Sequence, residues 1–372
     1  MQRKRQDAAG ALRYSVCEQA AEITGLQETD WSALAPIRAW EKVDAGTFHT
    51  EIVPLGQPAV LRGQVAHWPA VAKAGQSAAA LASYIGGFGR QQRVKAFFGK
   101  PEINGRFFYS DDLTGFNFER RELALGQLLE KLLRHLEDEK PPCMYAGAIP
   151  LTGDLAEILG ENKTELVDPA REQLVSIWIG NRGRAAAHWD LPQNLACVVG
   201  GRRRFTLFPT DQLKNLYVGP MERTLAGQPT SLVDFHHPDY EKFPRFREAL
   251  SSAQVAELQP GDALYIPSLW FHHVESLDSL GVMINYWWRD AAPHMFTPRL
   301  TLLHALLSIR DMPERERQAW RVMFDHYIFQ VNGDPMAHIP EDARGFFGEM
   351  TPEQVARIRA ALLHSLGGQL RG

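Results

Sequence analysis

The chain has 372 residues, 45% of them hydrophobic and 23% charged, with a formal net charge of −4. That is enough to bury a sizeable core in one large domain or two ordinary ones, and the balance is that of a globular protein, not a disordered or fibrous one. Net negative charge argues against nucleic acid as a partner, since counterion release needs concentrated positive charge; the Arg3-Lys4-Arg5 run is too short to overturn this and reads as a solvated tail.

Three cysteines, Cys17, Cys143 and Cys197, lack any CxxC spacing, which excludes a disulfide framework or zinc knuckle and suits a reducing cytosol. With no apolar run of membrane-spanning length and no secretory-type start, the expectation is a cytoplasmic protein with no membrane partner.

In chain order, residues 1–54 read as a helical and irregular segment. "QPAVLRGQVAHWPAV" (57–71) reads as a strand, Ala59 to Arg62, entering a turn at Gly63 and a Trp-Pro corner. Residues 120–138 place Leu125, Leu128, Leu129, Leu132 and Leu136 at helical spacing and predict an amphipathic helix. "QLVSIWIGN" (173–181) is a buried strand by its β-branched and aromatic content. Strands are expected at 195–199, 204–208, 262–267 and 281–288, with turns but no helices between them, which implies an antiparallel sandwich or barrel. Past Pro298 the pattern turns helical at 298–308, 313–330 and 351–366, the last with Thr351 as N-cap and Gly367 as a stop. The domains expected are 1–54, a catalytic domain over 55–297 and a helical region over 298–372.

The chemistry gathers in "AAAHWDLPQNLACVVGGRRRFTLFP" (185–209). On a strand, His188 and Asp190 share a face while Trp189 points away, which makes half a metal site. A third ligand is offered by "GDALYIPSLWFHHVES" (261–276). There Gly261-x5-Pro267-x4-His272 has the spacing of the second cupin motif, with Leu269 where that motif usually has glycine. His188, Asp190 and His272 then compose the two-histidine, one-carboxylate set of non-haem Fe(II) oxygenases, which leaves coordination positions for a bidentate co-substrate and O₂. The plainer alternative is that the HxD pair is a hydrogen-bonded core pair. His273 points to the opposite face from His272, so at most one of the two joins the set.

On the strand 202–208, Arg203, Phe205 and Leu207 share one face and Arg202, Arg204 and Thr206 the other. The apolar members turn the first set inward, and an inward cation calls for an anion; the distal carboxylate of 2-oxoglutarate suits it. The alternative is three solvated arginines at a turn.

With both ligand runs in view, the sequence resembles the JmjC/cupin-8 family of Fe(II)- and 2-oxoglutarate-dependent oxygenases. It looks closest to the branch containing the asparaginyl hydroxylase that acts on hypoxia-inducible factor. "HWDLPQNLACVVGGRRRFTLFPTDQLKNLY", the insert "VDFHHPDYEKFPRF" (233–246), "INYWW", "PAVLRGQVAHWPAV" and "GRFFYSDDLTGFNF" (105–118) carry the likeness over roughly residues 55 to 290. The resemblance implies a mainly β fold with flanking helices: a double-stranded β-helix (jelly-roll, cupin) core plus a C-terminal helical bundle. It implies Fe(II), 2-oxoglutarate and O₂, with metal ligands His188, Asp190 and His272. It also implies co-substrate contacts from Tyr145, Arg203, Asn194 and Asn285, with Trp287 close to the iron and Cys197 as a wall residue.

Two departures stand out. The family's usual lysine on the co-substrate strand is Arg203, and the hydroxyl residue expected three positions before the first ligand is Ala185. That removes one hydrogen bond to 2-oxoglutarate, worth about 1 kcal/mol, unless another group such as Ser176 supplies it.

The function that the resemblance implies is hydroxylation with release of succinate and CO₂; no residue reads the substrate directly, and a protein or peptide side chain is the expectation. The alternatives are a small-molecule or tRNA hydroxylase, a metal-dependent cupin enzyme that does not use 2-oxoglutarate, or a binding protein that has lost turnover. The C-terminal helices have apolar faces that predict a homodimer, the alternative being that they pack back on their own barrel.

Overall fold

The computed structural model describes residues 29–292 and 294–368; the Arg3-Lys4-Arg5 tail and Cys17 lie outside the described residues. The chain divides after Asp290 into two compact units.

The strands of the first unit are β1 (Ala35–Pro36), β2 (Ala39–Glu41), β3 (Ala59–Arg62), β4 (Arg93–Gly99), β5 (Arg106–Phe107), β6 (Phe118–Ala124), β7 (Cys143–Pro150), β8 (Glu172–Gly180), β9 (Gly183–Trp189), β10 (Gln193–Gly200), β11 (Arg203–Phe208), β12 (Gln254–Leu258), β13 (Ala263–Ile266), β14 (Phe271–Ser276) and β15 (Gly281–Trp288). A six-stranded sheet runs β1-β12-β11-β14-β9-β5, and a nine-stranded sheet runs β2-β3-β13-β10-β15-β8-β7-β4-β6. At their centres β12-β11-β14-β9 and β13-β10-β15-β8 are two antiparallel four-stranded sets, between which the chain passes strand by strand from β8 to β15, only β11 and β12 following one another in the same set. This is jelly-roll connectivity, as the sequence resemblance implies.

Alternation along these strands sorts the core into layers. Phe205 and Leu207 of β11, Ala196 and Val198 of β10, Leu264 and Ile266 of β13 and Met283 of β15 pack between the two sheets. The opposite face of β10, with Leu195, Cys197 and Val199, packs instead against helices α1 (Pro69–Gln76), α2 (Ala78–Gly89) and α3 (Leu125–Arg134). Cys197 is therefore a residue of the helix-side core and not a wall of the space between the sheets. The outer face of the smaller sheet, Phe208 and Phe271 included, is covered by Val233, Phe235, Phe243 and Phe246 of the insert.

Two sequence expectations are corrected. The helix expected over 120–138 starts only at Leu125, because residues 118–124 pair with β4 along its whole length. The charged run Arg120, Arg121 and Glu122 sits on this strand, exposed, where a strand with a solvated side looks much like the polar face of a helix. Between β11 and β12 a short helix, α4 (Phe246–Ser251), lies where strands and turns alone were expected.

In the second unit, α5 (Pro298–Ser308), α6 (Glu314–Tyr327) and α7 (Pro352–Gly368) fall where the periodicity put helices. At the start of α7, Thr351 Oγ1 accepts from the amide of Gln354 at 3.3 Å, and Gln354 Oε1 accepts from the amide of Thr351 at 2.9 Å, a capping box. Gly367 does not stop this helix, which continues to Gly368. No described helix is long and apolar enough to cross a membrane.

Candidate metal centre

β9 and β14 pair antiparallel with His188 directly opposite His272, and the two imidazole centroids lie 4.3 Å apart. Asp190 follows the end of β9, its carboxylate 3.5 Å from Nε2 of His272. Nitrogen and oxygen atoms of the three side chains lie within 4.8 Å of one another.

Both rings are oriented from behind. His188 Nδ1 is 2.9 Å from the carbonyl oxygen of Ala186, and His272 Nδ1 is 3.1 Å from that of Trp270. A carbonyl only accepts, so each Nδ1 carries the hydrogen and each Nε2 keeps a lone pair for the shared space. Burial pulls the His188 imidazolium down to about 4, helped by the charge of His272, so the ring is neutral near pH 7. Burial works to raise the Asp190 carboxyl, but the adjoining His272 and His188 rings outweigh that and hold it below the usual range. Two imidazoles that turn Nε2 to the shared space and an ionised carboxylate with no Arg or Lys partner among the described residues fit a divalent cation such as Fe(II).

Two turns bring the ligands together. The amide of Leu269 donates to the carbonyl of Asp190 at 2.9 Å, Ser268 Oγ donates to that of Leu191 at 2.6 Å, and the Ser268 amide and Tyr265 hydroxyl both reach Gln193 Oε1. Leu269, in the place of the motif's glycine, has φ +66°, so the left-handed backbone is kept although the residue has a side chain. An irregularity between His272 and Val274 sets Val274 opposite Ala185. Three residues of β9 thus span what two residues of β14 span, and Ala185 and His188 both line the same cavity, which strict alternation would forbid.

That cavity has a volume of about 370 Å³, and every residue expected in the site lines it: the triad, Tyr145, Arg203, Asn194, Asn285 and Trp287. Arg203 is 4% exposed, with its Nε unpartnered and no carboxylate bonded to it among the described residues. Burial lowers its affinity for the proton, and the nearby Tyr145 opposes that. Tyr145 is packed among Phe97, Phe107 and Trp178, and burial pushes its phenol up, so it remains a neutral donor. Gly147 makes room for this arrangement: a Cβ there would lie 2.6 Å from the Trp178 ring and 2.9 Å from the Tyr145 hydroxyl.

Asn285 Nδ2 donates to Asn194 Oδ1 at 3.4 Å, while Asn285 Oδ1 accepts from Ser176 Oγ at 2.7 Å and from Trp178 Nε1 at 2.5 Å. Ser176 is therefore committed to fixing Asn285 and lies outside the cavity lining, so it does not replace the hydroxyl missing at Ala185. Ser276, which the sequence did not single out, lines the cavity beside Arg203. Its register to Arg203 comes from strand pairing across a long insertion, a relation that no local spacing reports.

The alternation read for the arginines holds. Arg203 points inward, Arg202 is an exposed partner of Asp278 and Glu257, and Arg204 lies on the outer face. That outer face carries a row of charges across the sheet: Glu257, Arg204, Glu275, Arg184 and Arg106 are successive cross-strand neighbours. Asp234 of the insert meets Arg184 at 3.4 Å and Arg106 at 3.6 Å, and His236 Nε2 lies 2.6 Å from Glu275 Oε2. His273 also faces this side, packed between Trp31 and Phe235. It belongs to a second group, His236, His273 and Glu275, whose ligand-type atoms likewise lie within 4.8 Å of one another.

Comparison with known proteins adds the family. The model of the cupin-like domain family matches residues 45–294. The chain is 31% identical over 163 residues to Lysine-specific demethylase JMJ31 of Arabidopsis thaliana, covering 41% of this chain and 29% of that protein. It is 36% identical over 179 residues to human HSPB1-associated protein 1, covering 44% and 36%. It is 34% identical over 194 residues to mouse tRNA wybutosine-synthesizing protein 5, covering 48% and 58%. The chain spans less than two thirds of the length of each of these relatives. The jelly-roll core and the family match over most of its length together make this chain a member of the cupin-like domain family.

Proposed function

We propose that the chain is an Fe(II)- and 2-oxoglutarate-dependent oxygenase that hydroxylates a side chain of a protein or peptide. One observation carries the reading: a buried guanidinium with no carboxylate partner among the described residues shares a cavity with a two-histidine, one-carboxylate cluster. A buried unpaired cation is costly, and a bound dicarboxylate offsets that cost while its 2-oxo acid end reaches the metal ligands. His188, Asp190 and His272 would hold the iron; Arg203 and Tyr145 would hold the distal carboxylate. Asn285, locked by Ser176 and Trp178, and Asn194, which accepts from Asn285, would present their amides beside the metal-binding end.

With O₂, the bound iron and co-substrate supply the oxidising chemistry, giving succinate, CO₂ and one oxygen atom for the substrate. The protein's part is to orient the ligands, keep Tyr145 protonated and line the space with apolar side chains. The side-chain hydroxylase reading rests on the likeness of the 233–246 insert to the asparaginyl hydroxylase branch and on the net negative charge. The relatives carry different names, a lysine-specific demethylase and a tRNA wybutosine-synthesizing protein among them. A homodimer through the second unit is part of the proposal: Leu307 is 85% exposed and Leu363 74% exposed on its helices. Light scattering that reports a monomer at micromolar concentration would reject the dimer.

The test of the reaction is anaerobic titration with Fe(II) and 2-oxoglutarate, watched for the weak visible charge-transfer band. The band should appear, vanish in His188→Ala, and need more 2-oxoglutarate in Arg203→Ala. If no band forms and no succinate is released on adding O₂, the reading fails.

A further inference from the structure

We propose that Ser276 supplies the hydroxyl that this chain lacks at Ala185, so that the distal carboxylate of a five-carbon 2-oxo diacid is held between Arg203 and Ser276. This rests on the co-substrate reading above and names a residue in it that neither the sequence pattern nor the family likeness pointed to.

Four observations converge. Arg203 of β11 and Ser276 of β14 are direct cross-strand partners, so their side chains leave the same face of the sheet. Both line the cavity. Each carries a buried polar atom without a hydrogen-bond partner among the described residues, Nε in Arg203 and Oγ in Ser276. Finally, both face one point: a Cβ built on Gly281 would lie 2.2 Å from Ser276 Oγ and 3.4 Å from a terminal nitrogen of Arg203.

An unpartnered hydroxyl beside a terminal nitrogen of a buried guanidinium, at a small space that a glycine keeps clear, is what an anion needs. A buried hydroxyl left without an acceptor is unfavourable, and a carboxylate oxygen satisfies it while the guanidinium takes the charge. Ala185 faces the cavity opposite Val274, and Ser276 is two residues along β14 on that same face, so the hydroxyl has moved to the neighbouring strand. Ser176 is ruled out because its hydroxyl donates to Asn285.

The test measures binding, not turnover. Protein loaded anaerobically with Mn(II) is titrated by calorimetry with 2-oxoglutarate and with 2-oxobutanoate, a 2-oxo acid that lacks the distal carboxylate. Ser276→Ala should weaken 2-oxoglutarate about ten-fold, leave 2-oxobutanoate unchanged and leave Mn(II) content unchanged. Ala185→Thr placed in the Ser276→Ala background should restore much of the loss. Gly281→Ala retains both polar groups but crowds the Ser276 hydroxyl, and should weaken 2-oxoglutarate selectively as well. Ser276→Ala that binds 2-oxoglutarate like the parent, or that weakens both acids equally, overturns the assignment. A parent protein that binds 2-oxoglutarate no better than 2-oxobutanoate instead overturns the co-substrate reading, and the assignment with it.

Discussion

Strand β14 sends a histidine to each face of its sheet, and each joins a second histidine and a carboxylate. Inside are His188, Asp190 and His272; outside are His236, His273 and Glu275. By residue type the two groups are equal, and in both the candidate ligand atoms lie within the same span. Their surroundings differ. Asp190 meets no Arg or Lys among the described residues, and both inner rings are turned by backbone carbonyls so that Nε2 faces a cavity. Glu275 is already shared by Arg204 at 3.5 Å and His236 at 2.6 Å. The outer group lies in a row of charges where Glu257, Glu275 and Asp234 answer Arg204, Arg184 and Arg106. A donor set becomes a metal site only where its negative charge is left for the metal to neutralise.

The sharpest test of this contrast is metal content. Elemental analysis should find one iron-type metal per chain, with His272→Ala lowering affinity by roughly 100-fold or more and His273→Ala leaving it intact. A second equivalent that disappears in His273→Ala would erase the distinction.

Stability should separate the carboxylates next. Glu275→Ala leaves Arg204 and Arg184 facing a buried gap and should cost about 3–5 kcal/mol in urea unfolding. Asp190→Asn in the metal-free protein removes only the attraction of the two neighbouring rings, and should cost less than Glu275→Ala while abolishing metal uptake. Equal losses from the two would mean that both carboxylates are structural.

Acid should strike both sides of the sheet. His188 and His273 are each held at about 4, against 6.5 for a free imidazole, chiefly by burial. Between those values the unfolded chain binds more protons than the folded one, so metal-free stability is complete above about pH 6.5 and drains as the pH falls toward 4. Each ring contributes on the order of 3 kcal/mol to that fall. His273→Phe should make the fall shallower, whereas bound metal should protect only the His188 share; a metal-free stability flat from pH 7 to pH 4 contradicts both assignments.

The smallest effect is expected at Leu269. With φ at +66° the leucine holds a backbone that suits glycine, so Leu269→Gly should stay within about 1 kcal/mol of the parent in thermal unfolding. A large loss would mean that the leucine side chain, 37% exposed, does more than occupy the turn.

The inner site was legible where local periodicity carries the information. Alternation along residues 202–208 separated Arg203 from Arg202 and Arg204, and the two ligand runs named the triad. What stayed hidden depends on register between distant strands. The irregularity that turns Ala185 toward the cavity, the pairing of Ser276 with Arg203, and the capture of Ser176 by Asn285 all arise from strands far apart in sequence. Similarly, "VDFHHPDYEKFPRF" could be picked out as an insert, but nothing in it tells which face it covers. The helix expected over 120–138 failed at its start for a related reason, since pairing with β4 decides the fate of residues 118–124.

The stitching of the two ligand turns has a kinetic meaning. Ser268 reaches Leu191 across 77 residues of chain, and Leu269 reaches Asp190 in the same clasp. Closing so large a loop is slow and comes late, after local pieces have formed. A nascent chain that has made only β9 exposes His188 and Asp190 without their third companion, a pair too poor to capture metal firmly. The long closure thus acts as a timer: the three candidate ligands come together only once the barrel is finished.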